Sequence, residues 1–248
     1  MTWFWLGIAA LVIGLSLGVM GAGGSILAVP LFMLLLGMPE KLAVQHALIT
    51  VGSIALFGAI KEGRRQATHW RVLMVFALAS LPMASVGAAS GHLLPQGGQT
   101  LILILLLCIA AAKMLGHRER KKPQCVSFHR LWLAAGTTGF VTGVVGIGGG
   151  FLIVPALVLF AAIPMAMAVT MSLWLISANA LLAYSTLFLL SSATLAIDWL
   201  VVGVVVVSGV SALVAGQSLA PSFPSHILKR GFGACLIVVA GMLFITQI

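Results

Sequence analysis

The chain has 248 residues, 61% of them hydrophobic and 7% charged, with a mean hydropathy of +1.21, values that a water-soluble globular domain does not reach. At about 20 apolar residues per crossing, the length allows roughly eight membrane spans, or ten if some are short, and leaves no room for a soluble domain. The formal charge of +9 does not point to nucleic acid, because ten of the 13 Lys and Arg residues lie in two short loops between apolar runs, the pattern that sets membrane orientation.

In chain order, apolar segments cover about 3–36, 42–60, 72–94, 99–115, 131–163, 166–190, 196–220 and 227–247. The first lacks the basic leader of a secretory signal and continues into further apolar sequence, so it reads as a retained helix. Segments 3–36 and 131–163 exceed one crossing, and glycine interrupts each: Gly21, Gly23 and Gly24 in one, Gly146, Gly148, Gly149 and Gly150 in the other. Clustered glycine breaks a helix, because it lacks a side chain and loses the most backbone freedom on ordering. Cys108, Cys125 and Cys235 have neither C-x-x-C nor His-paired spacing, so they read as inert thiols, and no metal or cofactor is implied.

The sequence repeats itself. A shift of 125 residues places Gly18-Val-Met-Gly-Ala-Gly-Gly-Ser-Ile-Leu-Ala-Val-Pro30 on Gly143-Val-Val-Gly-Ile-Gly-Gly-Gly-Phe-Leu-Ile-Val-Pro155, and Pro39 on Pro164. A shift of 129 places Trp70 on Trp199, Gly87 on Gly216 and Pro95 on Pro224. The expected organisation is an all-α polytopic membrane protein with a first repeat over 1–115, a basic cytoplasmic linker over 116–130 and a second repeat over 131–248. Lys61, Arg64, Arg65 and Arg71 follow the second segment, whereas the equivalent loop, Ser191 to Ile197, carries no Lys or Arg. This contrast predicts inverted repeats, and parity then requires each long segment to be a hairpin of two short or re-entrant pieces.

A helix that ends inside the membrane leaves up to four N–H groups without partners and concentrates partial positive charge there. A bound anion answers both requirements, and glycine lets the backbone approach it. Tight helix packing is the competing explanation for one such cluster. Two copies at the same repeat position favour a substrate site containing Gly21, Gly23, Gly24, Ser25, Gly146, Gly148, Gly149 and Gly150. A P-loop is excluded, since no Gly-Lys-Ser/Thr follows either cluster.

The helix after each break supplies polar candidates: Gln45, His46 and Thr50 in the first half, Thr170, Ser172 and Asn179 in the second. His46, Thr50 and Ser53 are spaced to share one helix face. Hydroxyls in membrane helices usually bond their own backbone, so each of these is also readable as structural. Histidine is the side chain that ordinarily changes charge around physiological pH, so His46 is a candidate for proton coupling; a hydrogen-bonded interhelical histidine is the alternative. Asp198 beside Trp199 reads as a helix cap at the interface.

Gly146 to Pro155, the Ala-Val-Thr-Met-Ser-Leu run ending at Leu173, and Ile197-Asp-Trp199 resemble the TauE/SafE family of sulfite exporters and related anion permeases over nearly the whole chain. The resemblance implies a multi-pass bacterial inner-membrane transporter of sulfite, sulfonates or other small organic anions. Ser25, Gln45-His46-Ala47 and His69 depart from the family pattern in the first half, which leaves the substrate open. The expectation is a small-anion carrier that works by alternating access around the paired breaks, in contact with the lipid bilayer. An anion channel and an intramembrane scaffold are the rivals. An enzyme is not expected, since His46 has only Thr50 and Ser53 on its face and no intramembrane acid pair exists.

Overall fold

The computed structural model describes residues 2–21, 23–63, 70–91, 128–145, 150–159, 163–190 and 197–220, with short helical pieces between 104 and 112 and between 227 and 241. Every regular element among these residues is helical: α1 (Thr2–Met20), α2 (Gly23–Leu36), α3 (Glu40–Gly63), α4 (Trp70–Gly91), α5 (Phe128–Val145), α6 (Gly150–Leu159), α7 (Met165–Leu190) and α8 (Trp199–Leu219). Of these, α3, α4, α7 and α8 are long and apolar enough to cross a membrane. At 1.5 Å per residue, α2 reaches only about 21 Å and α6 about 15 Å, short of the roughly 30 Å hydrocarbon core. The fourth and eighth apolar segments and the basic linker lie largely outside the described residues.

Helix α1 stops at Gly21, whose φ of +73 suits glycine and whose N–H still reaches the Leu17 carbonyl at 2.9 Å. The chain then reverses. A Cβ placed on Gly24 would stand 2.5 Å from the Ile13 carbonyl oxygen and 2.7 Å from Leu17 Cγ, so α2 lies back along α1. The first long segment is therefore a hairpin. The turns that follow the short helices are built alike: Met38 N–H bonds Phe32 O at 3.4 Å and Ala43 N–H bonds Pro39 O at 2.9 Å, while Ile163 bonds Leu157 at 3.2 Å and Ala168 bonds Pro164 at 2.9 Å. These are repeat positions, 125 residues apart.

Packing follows the same duplication. Helix α1 packs on α8 and α4 on α5, so the first helix of each half rests on the last long described helix of the other. A Cβ on Gly14 would overlap the Gly209 carbonyl, and one on Gly139 would overlap the Ser80 carbonyl. Positions 14 and 139 are equivalent, as are 209 and 80, so one close backbone crossing occurs twice. Between these pairs stand α3 and α7, which bury more of their surface than α4 and α8. Gly52 meets Ala180 and Gly58 meets Leu173, so rising numbers on α3 meet falling numbers on α7 and the two run antiparallel.

Candidate functional site

The first break is seated on the other half. The Ser172 hydroxyl, fully buried on α7, lies 2.9 Å from the Gly21 carbonyl and 2.7 Å from that of Val169. A Cβ on Gly21 would come within 2.7 Å of Ser172 Oγ and 2.8 Å of Val169 Cα, so backbone angle and close approach both call for glycine here. Ser172 has one hydrogen, and both groups in reach are carbonyls. It cannot give that hydrogen to an anion while it holds the break.

The threonine hydroxyls among the candidates bond their own helix. Thr50 donates to His46 O at 2.7 Å, and Thr170 to Ala166 O at 3.3 Å. Ser53 shares the helix face of His46 and Thr50 but is exposed where those two are buried. Gln45 is buried on α3, and Asn179 sits mid-way along α7 with a buried Oδ1 that has no hydrogen-bond partner among the described residues. Ser25 lies in the first turn of α2, and Gly150 is the first residue of α6. Gly146, Gly148 and Gly149 lie outside the described residues.

His46 joins α3 to the start of α8. The Asp198 backbone N–H donates to its Nε2 at 3.2 Å, which leaves Nδ1 to carry the hydrogen and donate to Leu42 O at 2.9 Å. Both nitrogens are satisfied by a neutral ring, and Phe32 packs on it with centroids 6.2 Å apart. Asp198 caps α8, its Oδ1 accepting from Leu200 N at 3.1 Å and Val201 N at 3.2 Å. Sequence spacing gives no sign of the contact between His46 and Asp198, since the residues are 152 apart.

The candidates form two groups. Because α3 and α7 are antiparallel, Ser172 stands level with the end of α3 near Gly58, whereas His46 stands near its start. At 1.5 Å per residue the two are separated by roughly 20 Å along the helix. Gly21, Thr170 and Ser172 belong to one level, Gln45, His46 and Thr50 to the other, and Asn179 lies between.

The family model for the sulfite exporter TauE/SafE matches residues 6–243. The chain belongs to the TauE/SafE family. It is 32% identical over 243 residues to a probable membrane transporter protein of Xylella fastidiosa strain 9a5c, covering 92% of this chain and 89% of that one. It is 23% identical over 249 residues to the probable membrane transporter protein YjnA of Bacillus subtilis strain 168, covering 94% and 95%. A family member with these apolar helices is a multi-pass membrane transporter, and the expected family and class hold.

Proposed function

We propose that this TauE/SafE protein is a secondary carrier for a small anion of the sulfite or sulfonate type in a bacterial inner membrane, working by alternating access between two inverted halves. The observation that carries this reading is the seating of the Gly21 break of one half on Ser172 of the other. Motion of one half against the other then remakes the surroundings of a helix end. The antiparallel course of α3 and α7, which are repeat equivalents, supports the inverted relation. The anion's donors are assigned to the backbone N–H groups that open α2 at Gly23, Gly24 and Ser25, and to their repeat equivalents at Gly148, Gly149 and Gly150. Gln45 and Asn179 keep the amide groups to orient a substrate, while Ser172, Thr50 and Thr170 position backbone.

Proton coupling through His46 would require its Nε2 to gain a hydrogen that faces the Asp198 N–H, two donors opposed across 3.2 Å. The junction is therefore assigned a structural role with a neutral ring. Counterflow in proteoliposomes tests the carrier reading: labelled sulfite outside should accumulate transiently against unlabelled sulfite inside, with saturable rate. Flux that rises linearly with concentration and shows no counterflow would establish a channel, and no flux of any small anion would leave the scaffold reading. The same assay between about pH 5 and 8 should give parallel profiles for wild type and His46→Gln. A pH step that the variant abolishes would return His46 to a coupling role.

A further inference from the structure

At one level, side chains of both halves tie four helices together. Gly58, near the end of α3, is where three of them meet: a Cβ there would stand 2.8 Å from Leu213 Cδ1 of α8 and 3.2 Å from Leu173 Cδ1 of α7, and the Gln217 amide of α8 donates from Nε2 to Gly58 O at 3.2 Å. Beside Leu173, Ser172 reaches Gly21 O at the end of α1. A Cβ on Gly18, one turn before Gly21, would stand 3.1 Å from Gln217 N, so α8 also lies against α1 here. This is the end of α3 that leads into Lys61, Arg64 and Arg65.

The two polar ties at this level differ in how well they are satisfied. Ser172 is fully buried, and its one hydrogen has carbonyls to meet. Gln217 is only 8% exposed; the bond from Nε2 to Gly58 O fixes which way the amide points, and Oε1 is left buried with no hydrogen-bond partner among the described residues. A buried acceptor without a donor costs more than one long neutral hydrogen bond returns, so Gln217 works against closure of this end while Ser172 favours it. Gly58 O does not depend on Gln217, since a carbonyl inside a helix has its partner four residues on. At the far end of α3 the Asp198 N–H also ties α8 to α3, but both His46 nitrogens are partnered there and that junction carries no such cost. The repeat equivalents of Ser172 and Gln217 are Ala47 and Ala88, which have neither hydroxyl nor amide.

We propose that this level is a gate at the basic-loop end of the carrier, held shut by Ser172 on Gly21 and primed to open by Gln217, whose Oε1 gains a donor from water when α8 parts from α3. The His46 junction is then the pivot of that motion. The gate rests on the carrier reading for its role in transport alone; its opening and closing are measured without any substrate.

Purified protein lacking the three native cysteines and carrying Ala55→Cys, a buried α3 position one turn before Gly58, reports the gate through its rate of reaction with a methanethiosulfonate. Ala47→Cys reports the opposite end of α3. Ser172→Ala should speed labelling at position 55 about fivefold, and Gln217→Met, which keeps the side-chain length and removes the unmet acceptor, should slow it about fivefold. Labelling at position 47 should be the same with and without either substitution. Gln217→Met should also keep or raise the unfolding temperature. Faster labelling in Gln217→Met would make Gln217 a plain tie, equal changes at positions 47 and 55 would mean general loosening, and unchanged rates in both variants would mean no gate; each of these overturns the proposal. Wild-type counterflow without opposed shifts at position 55 removes the gate and leaves the carrier. Opposed shifts in a protein that shows no counterflow remove the carrier and leave the gate.

Discussion

The two halves share a backbone frame and differ in what fills it. The close crossings at Gly14 and Gly139, and the turns at Met38 and Ile163, are the same structure made twice. The side chains at other equivalent positions are not: Ile54 against Asn179, Ile13 against Thr138, Ala47 against Ser172, His46 against Met171. Small residues at a crossing are dictated by backbone proximity, which duplication preserves. Side chains away from the crossings are under no such constraint, and it is there that the two halves have diverged.

The sharpest break of this comparison is orientation, an all-or-none outcome. Cysteines placed at Gln66 and Thr194, in a background lacking the three native cysteines, should label from opposite sides of the membrane, the first from the cytoplasm. Labelling from one side would make the halves parallel.

Next in size are the crossings. Gly14→Ala and Gly139→Ala each place a methyl group on a partner's carbonyl oxygen, and each should cost about 3 kcal/mol of stability, read from unfolding in detergent. Similar losses at both sites would confirm the shared frame. Gly7 and Gly203, where a Cβ meets nothing within 4 Å, serve as controls, and alanine there should be neutral or stabilising by up to about 1 kcal/mol.

The smallest effect concerns the break itself. Ser172→Ala removes the hydroxyl that reaches Gly21 O and should lower stability by about 1 kcal/mol, whereas Ala47→Ser at the equivalent position should change it by less than about 0.5 kcal/mol. Thermal unfolding midpoints of the two variants give the comparison. Equal effects would mean that Ser172 bonds only its own helix and does not hold the break.

Several features of the site are local and were legible without coordinates. The glycine clusters mark helix ends because glycine is the residue that tolerates a φ of +73 at Gly21, and the hairpin follows because the first long segment exceeds one crossing. Asp198 reads as a cap from its place before Trp199, since capping involves only the next three residues. Shared faces were less secure: Ser53 has the spacing to lie beside His46 and Thr50 yet is exposed, because a 3.6-residue period fixes angles around a helix and not which neighbours cover them.

By itself the sequence determined an all-helical membrane protein with a duplicated core, its broken helices and its family, since hydropathy, glycine and repetition act over short stretches or by direct comparison. Only the tertiary structure decided that Ser172 meets Gly21 across 151 residues, and that His46 is tied to Asp198 across 152. It also placed α3 against α7 in opposite directions, which separates the polar candidates into two levels. Such contacts depend on how helices from different halves cross, and that is set by the sum of many small packing choices along their whole length.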